Sequence, residues 1–485
     1  MKKVIKIITI ILIVLCASSF LFATPIFTND ELWNFQQVYK MHNGFSIYKD
    51  ANVIVTPLFF YLGYIVLSVF SFTILGFRIY NLIIYSMLFI MLYKIFKALK
   101  VSNKLIPVYL SLIFLFQVQN IIAGANYTVL SIVISLIGMY FYITKKSNNI
   151  KQGIIIFLCL FTKQNVGIFY VLSVLIYELI LNKKINLKYI KDQLKKIIVL
   201  LIPTLVFVLY LHFSGTIIDF INYCFGSLIE FGETNLIFTA PPYMILILLF
   251  SILIYIITIA LKNRIKDKVA IDFFNNMTIL FIFLLGAIPN IYPILNSSHF
   301  IYVFPFAFLI ILYFLDTFIL KDLFTEARFS FLIVFVILLI VIVRNYSVLY
   351  LNIDNYHHYE DSSSPYNHLY IDNDLYNRYK ELVKFIVDNE QNGDNVIILS
   401  YEAALPMIEL KKSNGKYDMF LSGNLGYNGI QNSIDEIKNQ KNTLYLILAN
   451  EEDLFFQDPL EVRNYIINNL HYYGTYSNYV VYYTD

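Results

Sequence analysis

From Ile7 to Tyr350 the chain is a succession of apolar stretches, most of them long enough to cross the roughly 30 Å of hydrocarbon in a bilayer. In lipid, every backbone N–H and C=O must find a partner within protein, so continuous apolar runs of this length have to be helices. The composition agrees: 58% of the residues are hydrophobic and 14% charged, against about a quarter charged in an ordinary soluble domain. The expected fold is an α-helical polytopic membrane protein over residues 1–350, with a soluble α/β domain over residues 351–485.

Charge divides at the same place. Residues 1–350 hold 27 Lys/Arg against 13 Asp/Glu, and residues 351–485 hold 9 against 20. Positive charge marks cytoplasmic loops, so the lysines set the topology. Ile7 to Ala23 follows Lys2, Lys3 and Lys6 and reads as a retained anchor, although "CASSFLFA" would also suit a signal-peptidase site. With a cytoplasmic N-terminus, the further spans fall at about 77–97, 104–122, 126–144, 150–162, 164–182, 195–214, 242–261, 275–292, 299–319 and 329–350. That makes about eleven transmembrane helices.

The apolar stretch 54–74 is left out of that count. Counting it would turn Lys94, Lys97, Lys100 and Lys104 to the outer side. Placed along the outer interface, it lets inner segments collect 22 of the 27 Lys/Arg, with Lys40, Lys49, Arg78, Lys163 and Arg344 outside. The acidic domain then lies outside the cytoplasm, where the positive-inside rule sets no penalty on it. A plasma-membrane location follows for a chain of this topology, and no nucleic-acid partner is expected.

The three cysteines, Cys16, Cys159 and Cys224, give neither a disulfide framework nor metal-ligand spacing. No cofactor and no metal site is expected from the residues; a divalent-metal requirement stays open.

The outer loop 24–76 opens with "TPIFTNDELWNFQQVYKMHNGFSIYKDANVIVTPLFFYLGY". Asp30 and Glu31 stand just beyond the end of the first helix, at a fixed depth near the headgroups. A carboxylate there can serve as a general base, or simply be solvated. Lys163, in the short break "FTKQNVGIF" between two apolar helices, and Arg78, at the opening of a span, are cations that tend to face a cavity or a partner; Arg78 could equally snorkel to a lipid phosphate. The segment from Gly215 to Pro242 could cover a site or be a plain connector. The tail alternates strand-like and helix-like runs, "NVIILS", "DMFLSG", "QNSIDEIKNQ", "TLYLILAN", "PLEVRNYIINNL" and "NYVVYYTD", which suggests a small α/β sandwich with a largely parallel sheet.

The order Asp30-Glu31, Gly44, "IYKD", "TPLFFYLGY", Gly76 and "FRIYN" resembles the GT-C membrane glycosyltransferases, the superfamily of protein O-mannosyltransferases and aminoarabinose transferases. The resemblance implies a catalytic Asp30 followed by Glu31, an interfacial helix opening at Pro57-Leu58, and Gly76 with Arg78 at the next span. It also implies a polyprenyl-phosphate-linked sugar donor drawn from membrane lipid, and a glycan, lipid or protein acceptor. Lys163, Arg78 and His299 are then the donor-phosphate ligands. "SSHFIYVFPF" is similar to the family's Arg-Tyr and Pro segment, with His299 where an Arg is usual. A polysaccharide polymerase or flippase, or another transporter of envelope glycans, is the alternative; it would not need the Asp-Glu pair.

Overall fold

The computed structural model describes residues 2–26, 30–182, 185–234, 236–262, 268–320, 327–454 and 457–484. In order, the helices of the first 350 residues are α1 (Lys2–Phe22), α2 (Asp30–His42), α3 (Leu58–Phe70), α4 (Ile74–Ala98), α5 (Ile106–Ile122), α6 (Tyr127–Ile143), α7 (Asn149–Thr162), α8 (Gln164–Asn182), α9 (Leu187–Phe213), α10 (Ile217–Ile221), α11 (Ser227–Thr234), α12 (Pro242–Lys262), α13 (Lys268–Ala287), α14 (Ser297–Leu315) and α15 (Ala327–Tyr350). Among the described residues, seven helical segments are long and apolar enough to cross a membrane: 74–98, 164–182, 187–213, 242–262, 271–291, 297–320 and 330–350. Shorter apolar helices cover 7–22, 58–70, 106–122, 127–143 and 149–162. This is a helical, membrane-embedded architecture.

The outward faces are apolar as well. Ile202, Val206 and Leu246 are 62%, 65% and 63% exposed, an arrangement that would be an aggregation liability in water and suits lipid. Polar caps set the helix starts: Thr73, Asn126, Asn148, Asn186 and Asn296 each accept a hydrogen bond from a backbone N–H of the turn that follows. α3, the stretch excluded from the span count, has 13 residues and so a length of about 20 Å. It packs against α2, α4 and α7.

Beyond Tyr350 come β3 (Tyr356–His358), β4 (Tyr370–Asp372), α16 (Asn373–Gln391), β5 (Asn395–Leu399), α17 (Ala404–Glu409), α18 (Gly429–Asn439), β6 (Thr443–Leu448), α19 (Leu460–Asn469), β7 (His471–Tyr476) and β8 (Tyr479–Thr484). A two-residue parallel pair, β1 (Ile237–Phe238) with β2 (Ile294–Leu295), ties the loop before α12 to the lead-in of α14. The main sheet has the order β5-β6-β8-β7. Alternation along β5 sends Val396 and Ile398 toward α16, and Ile397 and Leu399 toward α18 and α19, so the sheet is covered on both faces.

Two sequence expectations are corrected here. The sheet is mixed rather than largely parallel: β5 and β6 are parallel, whereas β6–β8 and β7–β8 are antiparallel. "DMFLSG" is not a strand, because Asp418 turns its carboxylate into the interface with α2 and the segment has no sheet partner. The apolar core is continuous between the two parts, running from α1 through the helical bundle to Tyr366, Leu369, Leu405 and Ile408.

Candidate functional site

α2 carries Asp30 and Glu31 in its first turn and Lys40 and His42 in its last, acids at the positive end of the helix dipole and bases at the negative end. Residues Glu31 through Lys40 are all buried. A helix this polar can be buried only if protein covers every side of it, and α2 is held between the bundle and the C-terminal domain.

On the bundle side, Arg78 of α4 meets Glu31 in a two-pronged ion pair: Nε donates to Oε1 at 2.7 Å and Nη2 to Oε2 at 2.9 Å. Its other N–H groups go to the carbonyls of Leu21 (3.0 Å), Thr24 (2.7 Å) and Pro25 (3.1 Å). A guanidinium has five N–H donors, and all five are engaged. Arg78, expected to bind a donor phosphate, fastens α2 to the end of α1, and Glu31 is its counter-ion. Gly124 makes this fit possible. Its φ is +94°, and a Cβ there would come within 2.8 Å of the Glu31 side chain.

The α5–α6 turn is fixed by the same neighbours. Asn81 donates to the Ile121 carbonyl at 2.7 Å and Asn34 to that of Ala125 at 3.3 Å. The turn delivers Asn126, Tyr127 and Thr128. Asn126 caps α6 with its Oδ1 and donates from Nδ2 to Asp30 Oδ2 at 3.4 Å. Thr128 Oγ1 accepts from Lys163 Nζ at 2.8 Å, and that ammonium lies 5.4 Å from the centre of the Tyr127 ring. Lys163 occupies the break between α7 and α8. Gln164 holds the break in place, donating to the carbonyls of Ile54 at 2.8 Å and Cys224 at 2.6 Å.

His299 sits in the first turn of α14, its Nδ1 2.8 Å from Asn296 Oδ1 and its ring edge-on to Tyr302 at 5.9 Å. α14 is tied to α5 by Gln117, which donates to the Ile301 carbonyl at 3.0 Å, and by Asn120, which donates to that of Ser298 at 3.2 Å. Asp30, Lys163, His299, Tyr127 and Tyr302 form one electrostatic neighbourhood: Lys163 acts on both Asp30 and His299, and Asp30 on both tyrosines. Burial pushes the Asp30 carboxyl above its usual range, and the Lys163 charge and the Asn126 hydrogen bond pull the other way.

Of the sequence-derived site residues, Asp30, Lys163 and His299 are thus brought together, while Glu31 and Arg78 pair with each other beside them. Asn126, Tyr127, Thr128 and Tyr302 complete the cluster. The available signal for the first three was an Asn-Tyr-Thr run at the start of an apolar helix, across from the break that holds Lys163. Among the described residues no group of three or more His, Cys, Asp or Glu could hold a metal.

The C-terminal domain meets α2 from the other side. Lys40 forms an ion pair with Asp418, both fully buried, and also donates to Ser413 Oγ at 3.0 Å and to the Asp50 carbonyl at 3.3 Å. Gln36, one turn earlier, donates to Asp418 Oδ1 at 3.3 Å. Asn52 donates to the carbonyls of Met419 at 2.9 Å and Asn424 at 3.1 Å. The loop between Gly215 and Pro242 joins in through Asn222, which accepts from Tyr427 N at 2.9 Å, and Glu230, which accepts from Asn428 N at 3.1 Å. It is therefore a docking site for the domain.

No protein-family model and no curated protein matches this chain.

Proposed function

We propose that the protein is a membrane glycosyltransferase of GT-C type, moving a sugar from a polyprenyl-phosphate carrier to a cell-surface glycan, lipid or protein on the outer face of the plasma membrane. In this reading α1, α4 to α9 and α12 to α15 are eleven crossings. The N-terminus is cytoplasmic, α3 lies in the outer interface, and the C-terminal domain is extracytoplasmic.

The observation that carries the reading is the placement of Asp30: a carboxylate in the first turn of a buried helix, one oxygen held by Asn126, with the Lys163 ammonium acting on it. Transfer needs those two charges. As the acceptor hydroxyl attacks the anomeric carbon, its proton goes to Asp30. The bond from that carbon to the phosphate oxygen breaks, and the electron pair leaves with the polyprenyl phosphate. Lys163, with His299 beside it, stabilises the departing phosphate, as preorganised cations do where negative charge develops. Glu31 and Arg78 act through α2, by fixing Asp30 in place.

The test is sugar transfer by the purified full-length protein in nanodiscs with polyprenyl-phosphate sugars. Asp30→Asn is expected to lower the rate by about 10²- to 10⁴-fold, the usual worth of general-base help, with unchanged thermal unfolding. Unaffected transfer in that variant would remove Asp30 from the chemistry. A well-folded wild type that uses no donor would favour the polymerase or flippase reading.

A further inference from the structure

Successive residues of an α-helix turn by about 100°, so a buried helix has sides that can be assigned one at a time. On α2, Glu31, Asn34, Phe35 and Val38 face the bundle, against Arg78, the Ala125 carbonyl, Phe77 and Gly63. Gln36 and Lys40 lie on the opposite side, against Asp418 of the C-terminal domain. One flank between these two sides carries Asp30, Trp33 and Gln37, at positions i, i+3 and i+7.

Asp30 is held by Asn126, but the rest of that flank is not paired in this way. Trp33 is 6% exposed and Gln37 1%. Trp33 Nε1 and both Oε1 and Nε2 of Gln37 are buried with no hydrogen-bond partner among the described residues. Buried polar atoms are nearly always hydrogen-bonded. Three atoms without a partner among the described residues, grouped within two helical turns and leading away from the candidate base, are open to partners from outside the chain. An indole N–H donates only, whereas a carboxamide donates and accepts. Their natural complement is a set of hydroxyls, each able to do both, on a body whose C–H face can lie against an indole.

We propose that Trp33 and Gln37 form a subsite for a polyhydroxylated group, the sugar of the donor or of the acceptor, continuing along α2 from Asp30. The ligand's identity as a sugar rests on the glycosyltransferase reading; the position of the subsite rests on α2 alone. Because the flank is buried in the state described, binding requires that it become open to the ligand.

Trp33 is the only tryptophan in the chain, so intrinsic tryptophan emission of the full-length protein reports on this place and no other. The experiment titrates the protein in nanodiscs with polyprenyl-phosphate hexoses, with sugar-free polyprenyl phosphate and with water-soluble oligosaccharides, and measures transfer in parallel. The expected result is a saturable emission change that requires sugar. Gln37→Leu should weaken binding or raise KM about tenfold, the worth of one or two hydrogen bonds, with kcat less affected; Gln37→Glu, of the same size, replaces it if the leucine variant does not fold. A response to the lipid-linked sugars alone assigns the subsite to the donor, and one to soluble oligosaccharides assigns it to the acceptor. Equal responses with and without sugar, or none while transfer proceeds, would overturn the subsite and leave the glycosyltransferase reading standing. Sugar-dependent emission without transfer would uphold the subsite and sink the transferase reading. Neither emission change nor transfer with any ligand would overturn both.

Discussion

Lys163 is bound by hydrogen bond to Thr128 and acts electrostatically on Asp30, so its charge and the protonation of Asp30 are linked. A general base must be deprotonated to work, and burial raises the Asp30 carboxyl; the acidic limb of a pH–rate profile should therefore lie above the ordinary Asp range. Lys163 lowers the Asp30 pKa, so Lys163→Met should move that limb to higher pH as well as slowing transfer. A limb that stays in place would detach Lys163 from Asp30. The pair Glu31–Arg78 behaves differently, because both side chains are buried and each satisfies the other. Removing one partner of such a pair typically costs about 3 to 5 kcal/mol, so Glu31→Gln should lower the thermal unfolding temperature in detergent, whereas Asp30→Asn should not. Asp30, Lys163 and His299 could be singled out in the sequence because ionisable residues at the ends of apolar helices are conspicuous. The role of Arg78 could not: the sequence shows a cation opening a span, but not that the carbonyls of Leu21, Thr24 and Pro25 return to it.

At the scale of elements, α2 is the least expected part of the molecule. Its sequence, DELWNFQQVYKMH, reads as a polar loop because charged and amide residues interrupt its few apolar ones. Burying so many polar side chains takes partners on every side, and those partners come from positions far along the chain. The membrane-embedded, helical character could be read from the apolar runs; the sandwich around α2 could not. Lys40→Met leaves Asp418 buried without its counter-charge, and Asp418→Asn leaves Lys40 in the same condition. Either variant should loosen the domain, seen as faster limited proteolysis between residues 351 and 372. The double variant, with no lone buried charge, should recover part of the protection. Equal proteolysis of all four proteins would mean that the pair does not hold the domain.

At the scale of the whole molecule, the apolar segments and the acidic tail were visible in the sequence, as was the alternation of strands and helices in the tail, and the strand directions were not. β7 escaped notice because "HYYGTY" has exposed residues on both faces, so alternation gave no signal. Sidedness is open to direct measurement, since Cys16, Cys159 and Cys224 are all buried and free. Asn432→Cys, on the exposed side of α18, should react with a membrane-impermeant maleimide added to intact cells, and Lys146→Cys, exposed between α6 and α7, should react only after permeabilisation. The reverse pattern would invert the topology and the proposed face of action.

The partners Lys40 and Asp418 lie 378 residues apart in the chain. At about 5 to 20 residues per second, synthesis separates their appearance by about 20 to 75 s. During that interval the bundle can assemble around the other side of α2, but the helix that presents Asp30 lacks its second wall. A product stalled before the C-terminal domain would thus enter the membrane with α2 walled on one side only, and the proposed activity would await synthesis of that domain.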